Sequence, residues 1–252
     1  IVADELHQWL TYTSADLEAI RRRSDEFRAK RRYSRPTRGT GKRPDLAARN
    51  SSTTTVHDSE VRGAVVTTAQ MADRLMAGKR SNQFVRVAGA LDLPDADLPV
   101  DPYVFGLWLG DGTRGQGAIT TADQQCIDNI RSRGYVCRKR ASKYGWGILG
   151  LQSSLRAMGV LESKNVPPEY LRASEEQRIE LLRGLMDSDG CANKSGSCEF
   201  SNCQKSLIEA VHELCSSLSI KCSIREGRAK LGGIDCGAKW TIKFTTSKRV
   251  FN

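Results

Sequence analysis

Two aspartates carry the first suggestion of chemistry in this sequence. Asp111 closes the stretch Tyr103–Gly112, YVFGLWLGDG, and Asp189 closes Leu181–Gly190, LLRGLMDSDG. Each stretch is an apolar run ending in an acid followed by glycine, and each carries two small residues four places apart: Gly106 and Gly110 in the first, Gly184 and Ser188 in the second. On a helix, positions i and i+4 share a face. Two helices with such bare faces can pack closer than the usual separation of roughly 8–10 Å. If these two do, Asp111 and Asp189 emerge side by side at one end. Carboxylates a few ångströms apart repel and raise each other's pKa. A divalent cation between them removes that penalty, and Mg²⁺ (or Mn²⁺) suits an all-oxygen site that keeps several waters.

A lone helix ending in Asp-Gly is ordinary, since glycine suits a left-handed helix cap. Here the segment after each helix repeats as well. GAITTADQQCIDNIRSRGYVCRKR after the first and SCEFSNCQKSLIEAVHELCSSLSIKCSIRE after the second both read as turn, short strand, helix, strand. A further strand comes later in each, WGILG at Trp146–Gly150 and WTIKF at Trp240–Phe244. Duplication of a whole unit predicts a pseudo-two-fold body. At its borders, Asp101 caps the first helix with Pro102 at its first position, and Ser174 with Gln177 forms a capping box for the second.

The duplicated helix resembles the motif of the LAGLIDADG homing endonucleases in the form found within inteins. The nine motif residues map onto Val104–Gly112 and Leu182–Gly190, and the first copy departs from the pattern at Leu109, where the motif has its first acid. SKNVPPEYL at Ser163–Leu171 is similar to the lysine-x-(Ile/Val)-Pro block that precedes the second helix in intein endonucleases, and it contains Lys164. The resemblance runs from Asp101 to Asn252. It implies an α+β fold of pseudo-two-fold αββαββα type, with repeats at about 101–165 and 166–252. It also implies hydrolysis of phosphodiester bonds in duplex DNA, with Asp111, Asp189 and Lys164 catalytic. The metal ligands would be the two acids with the carbonyls of Gly110 and Ser188, and Gly106 and Gly184 would lie in the helix interface. A second lysine is expected in the second half, with Lys248 the nearest candidate. The family's outer sheet face lies against DNA, which makes Arg138, Arg140, Arg225, Arg228, Lys239 and Lys243 candidates for base contacts; arginine can read guanine bidentately.

The N-terminal 1–13, IVADELHQWLTYT, reads as a strand with a turn and resembles the Thr-x-x-His block of intein splicing domains. His7 stands at the histidine and Asp4 where threonine is usual. Residues 14–60 begin as a helix and continue as a loop rich in Pro, Gly, Ser and Thr. Between Arg21 and Arg49 this segment holds twelve basic residues and three acidic ones, nearly all of the chain's net +10. That bias reads as an arm that tracks phosphates, giving affinity more than base specificity. Its candidates are Arg21, Arg22, Arg23, Arg28, Lys30, Arg31, Arg32, Arg35, Arg38, Lys42 and Arg43. Residues 61–99 alternate strand and helix, with Thr67 or Thr68 capping a helix through Met76, and read as splicing-domain flank and connector. The endonuclease part is then 100–252, behind a β-rich splicing remnant.

The basic balance favours nucleic acid over membrane as partner. The longest apolar run is about eight residues, short of the ~18 needed to span a bilayer, and the start has no signal-peptide pattern, so a cytoplasmic protein is expected. Eight cysteines without a CxxC pair, and three histidines, give no zinc spacing. The expected partners are double-stranded DNA, the remainder of an intein splicing domain and the flanks of a host protein, with a bacterial replicative helicase suggested by resemblance. The alternatives are a non-cleaving nucleic-acid-binding or maturase-like relative, or an intein fragment whose endonuclease part is only structural.

Overall fold

A computed structural model describes residues 3–22, 63–86, 88–193 and 196–252. The chain divides into two compact units, Ile1–Ala88 and Gly89–Asn252. In the first, β1 (Gln8–Tyr12) leads into a helix α1 over residues 14–22. Then come β2 (Ala64–Thr67), α2 (Thr68–Asp73), β3 (Met76–Ala77), β4 (Arg80–Ser81) and β5 (Phe84–Val85). β1 is the middle strand of an antiparallel sheet in the order β2-β1-β5. Thr67 caps α2 through a capping box with Gln70. The helix ends at Asp73 rather than reaching Met76, because Met76 and Ala77 pair with Ser81 and Arg80 in a small hairpin. Gly78 turns that hairpin at φ 61°, a conformation that suits glycine.

The second unit opens with residues that read as connector in sequence, yet they are bonded into it: Leu91 N donates to Ser217 O at 2.9 Å, and Ala96 N to Gln177 Oε1 at 2.9 Å. Next is α3 (Pro102–Asp111), capped by Asp101, whose Oδ1 accepts from Val104 N at 3.1 Å. Tyr103 through Leu109 are all buried, as befits a helix apolar all round. β6 (Ala118–Thr120), α4 (Gln124–Ser132), β7 (Cys137–Lys139), β8 (Gly145–Ile148) and α5 (Leu151–Ala157) complete the first repeat. After a short α6 (Pro168–Leu171), the second repeat runs α7 (Glu175–Asp189), β9 (Gly190–Ala192), β10 (Ser197–Asn202), α8 (Lys205–Ser217), β11 (Cys222–Leu231) and β12 (Ile234–Thr245). The order matches the expected duplication with one reduction. Where the second repeat has β9, the first has only a bridge between Gly112 and Ile119.

The two motif helices pack backbone to backbone. A methyl built on Gly106 would stand 2.4 Å from Leu181 O, and one on Gly184 2.2 Å from Tyr103 O. Neither space admits a side chain, so only glycine allows this approach. One core cluster joins α3 and α7 to the inward faces of both sheets, through Ile119 and Ile148 on one side and Phe200, Ile242 and Phe244 on the other. Arg178 of α7 is fully buried. It donates to the carbonyls of Ala173 (2.9 Å), Ser217 (2.7 Å) and Leu91, which ties the entering chain and α8 to this helix. Buried arginine needs such satisfaction, because leaving it unpaired costs several kcal/mol.

Candidate active site and basic face

α3 and α7 run out together at their C-termini, and the two acids lie there. Proximity is fixed by Gly110: a methyl on it would lie 2.0 Å from Ser188 Oγ and 3.4 Å from Asp189 Oδ2. The glycines after the acids are not left-handed caps. Gly112 has φ −72° and Gly190 φ −88°. They are small because the chain turns tightly back on its own helix: a methyl on Gly112 would meet Trp108 O at 2.1 Å, and one on Gly190 would meet Met186 O at 2.5 Å.

Lys164 reaches this end from the loop before α6. Its Nζ donates to Gly110 O at 3.0 Å and Gly112 O at 2.9 Å, and lies 5.4 Å from the centre of the Trp108 ring. Lys164 itself sits at φ 51°, a left-handed conformation that a residue with a Cβ holds only when its surroundings enforce it. The enforcement comes from Gln204, whose Nε2 donates to Ser163 O at 3.0 Å and Asn165 Oδ1 at 3.1 Å. Asn202 Nδ2 donates to Asp189 Oδ2 at 3.4 Å. Asn202 and Gln204, with Leu109, Gly112, Arg114 and Lys164, line a cleft of about 500 Å³. Asn202, Gln204 and Arg114 do not stand out in the sequence. The only signal for Asn202 and Gln204 is the polar run SNCQK at the end of a strand, and Arg114 has none.

The electrostatics follow from this crowding. Burial, then the neighbouring Asp189, pushes the Asp111 carboxyl up to about 6, against the pull of Lys164. Asp189 is raised too, by the protein packed around it, although its edge is open to solvent; Lys164 and Asn202 oppose the shift. Burial lowers Lys164, with Asp189 and Asp111 holding its proton on and Arg114 working against them. Two acids that resist joint ionisation and main-chain carbonyls are a donor set for a hard divalent cation. Among the described residues no cluster of three or more His, Cys, Asp or Glu could hold a metal ion. A cation at this end would find only the two carboxylates and main-chain carbonyls within the described residues. Gly110 O already accepts from Lys164, and the Ser188 hydroxyl is turned onto its own helix at Gly184 O and Leu185 O. Ser188 thus has only its main-chain oxygen left to offer.

Lys248 is not a second lysine of this site. It pairs with Glu175 at the opposite end of α7, about 21 Å away along a helix rising ~1.5 Å per residue. The Leu109/Asp187 position, where the two motif copies differ, is structural in both. Leu109 is buried, and Asp187 accepts from Tyr103 Oη at 2.8 Å and from Asn252 N at 3.2 Å.

Strand register sorts the basic candidates. Ile242 and Phe244 face the core, so Lys239, Thr241 and Lys243 of β12 face outward, and pairing places Arg225 of β11 beside them opposite Thr241. Lys243 pairs with Glu199. Arg228, opposite Ala238, falls on the other face and pairs with Asp235 at 2.9 Å. In the first sheet Arg138 lies opposite Gly147 and faces outward, as does Arg140, which bonds Gln116. Arg21 and Arg22 are exposed on α1. Arg23, Arg28, Lys30, Arg31, Arg32, Arg35, Arg38, Lys42 and Arg43 lie outside the described residues. His7 is exposed in the first unit, with its ring 4.6 Å from that of Trp9. No helix among the described residues is long and apolar enough to cross a membrane.

Residues 176–235 match the family pattern of a LAGLIDADG-like domain. Over 254 residues the chain is 37% identical to the replicative DNA helicase DnaB of Mycobacterium intracellulare, an alignment that takes in 100% of this chain and 38% of that protein. The chain thus spans well under half the length of this relative. Similar solved structures include I-DmoI in complex with DNA and Ca, at 14% identity and a TM-score of 0.38, covering 58% of this chain and 83% of that one. A mesophilic variant of the homing endonuclease I-DmoI is also similar, at 14% identity and a TM-score of 0.37, covering 58% and 88%.

Proposed function

The chain contains a LAGLIDADG-like domain, and from that premise we propose that it is a site-specific double-strand DNA endonuclease. In this reading it hydrolyses phosphodiester bonds with a divalent metal, Mg²⁺ or Mn²⁺, and is embedded in a self-splicing intein. The host would be a replicative DNA helicase, acting in the cytoplasm, and the rest of the splicing domain and the host flanks would be its protein partners. One observation carries the reading: Asp111 and Asp189 end two helices that only paired glycines allow to touch, with the Lys164 ammonium bonded to the carbonyls of Gly110 and Gly112 on either side of Asp111.

Asp111 and Asp189 would hold the cation, with the carbonyls of Gly110 and Ser188 as further oxygens. When bound, it readies a water for attack and offsets charge on the leaving oxygen. Asn202 fixes the rotamer of Asp189. Gln204 fixes the loop that presents Lys164. The two acids favour the charged form of Lys164 against its burial, and its Nζ would stand where a phosphate's developing charge falls, a contribution of preorganised electrostatics. The outward faces of both sheets would lie along the duplex, and the basic arm would add phosphate contacts. The test is incubation with Mg²⁺ and a plasmid carrying the uninterrupted host sequence. Asp111→Asn and Asp189→Asn should bind as wild type does and fail to cut. Wild-type rates in either variant, with binding intact, would place the active site elsewhere.

A further inference from the structure

The two repeats share an order of elements but not a reach. β11 and β12 hold 10 and 12 residues, while their counterparts β7 and β8 hold 3 and 4. At ~3.3 Å per residue β11 spans about 33 Å, close to one ~34 Å turn of B-DNA, whereas β7 spans about 10 Å. The faces differ in chemistry too. On the outward side the central strand of the first sheet presents Gly145 and Gly147, which have no side chain to offer, and leaves Arg138 opposite Gly147 as the outward cation of β7. Arg140 beside them is engaged with Gln116, its Nε 3.5 Å from where a Gly147 methyl would be. Lys139 points the other way, with its Nζ 4.3 Å from the centre of the Trp146 ring. On the second sheet the outward positions include Arg225, Lys239, Thr241, Lys243, Ser201 and Glu199, side chains that can donate to or accept from base edges, with Gly227 as a bare position among them.

We propose that the two repeats read DNA unequally. The half-site under the second repeat supplies most of the sequence discrimination, with Arg225 and Lys239 as specificity-determining residues, and the half-site under the first is held mainly through its phosphates. Resting on the reading that duplex DNA lies along the outward sheet faces, the proposal adds which face carries the sequence information. Arg225 and Lys239 are the cations chosen because neither is held by an ion pair among the described residues, whereas Lys243 is paired with Glu199.

The experiment is selection of bound duplexes from a pool of random sequence by the full chain, in EDTA, with position-by-position sequencing of the retained pool. A lopsided site is expected, with information concentrated on one side of its centre. Arg225→Ala and Lys239→Ala should each lower discrimination by about tenfold or more at base pairs within that rich half and leave the poor half unchanged. Both residues are outward on the sheet, so unchanged circular dichroism and melting will show that the variants are folded. Information divided evenly between the halves would overturn the proposal while leaving DNA binding intact, as would a lopsided site whose rich half ignores both substitutions. If wild type enriches no sequence at all, both the proposal and the reading beneath it fall.

Discussion

Asp111→Asn should stabilise the metal-free protein at neutral pH even as it abolishes cleavage. Burial and the neighbouring Asp189 move the Asp111 carboxyl from its ordinary 3.8 to about 6. Because the folded value is the higher one, the folded chain holds a proton that the unfolded chain has released between about pH 4 and pH 6. Wild-type stability therefore falls as pH rises through that window and stays low above it. At about 1.4 kcal/mol per pH unit the span corresponds to about 3 kcal/mol. The site opens on a cleft, and solvent screening brings the expected gain to about 1–2 kcal/mol. Asparagine is nearly isosteric and uncharged, so the difference between variant and wild type should be flat below about pH 4, grow through the window and level off near pH 7. Urea denaturation at several pH values in EDTA measures it. Adding Mg²⁺ should then raise the melting temperature of the wild type and leave the variant where it was, since a ligand stabilises only the state that binds it. A difference in stability that does not change with pH would refute the reasoning, because it would mean that neither burial nor Asp189 raises the Asp111 carboxyl.

Gly106→Ala and Gly184→Ala each force a methyl onto a facing backbone, and either should cost about 2 kcal/mol or more in chemical denaturation. Lys164→Ala should slow single-turnover cleavage while leaving binding within a few fold, and a parallel loss of binding would make Lys164 a positioning contact. Deleting Arg23–Asn50 should weaken DNA binding at low salt and flatten its salt dependence, by about 0.9 in log–log slope for each phosphate the arm neutralises; an unchanged slope would mean an inert linker. Arg178→Met should destabilise the second unit by about 3 kcal/mol, since three carbonyls lose a buried donor; a wild-type melting curve would show that those carbonyls find other partners.

The helix pair was legible because its signal is steric and local. Small residues at i and i+4 leave one reading for an apolar helix, and their repetition gives the partner. Capping at Asp101, Ser174 and Thr67 was legible for the same reason, each being decided within three residues. What escaped the sequence depends on contacts distant along the chain. Gln204 lies 40 residues from Lys164 and meets it only because β10 ends at the cleft. Lys248 looked available for the site because nothing nearby in sequence claims it, and Glu175, 73 residues away, does. The two glycines after the acids show a subtler limit. Sequence identifies the residue but not which constraint selects it, and here the constraint is the nearness of Trp108 and Met186 rather than a left-handed turn. The same limit governs the basic residues. Alternation predicts two faces for each strand, but only the register shows that Arg225 and Lys239 share one and that Arg228 turns from it. A duplicated fold therefore conceals unequal halves. The helices at the dyad must match to bring the acids together, while nothing obliges the strands far from it to match, and it is there that the repeats have diverged.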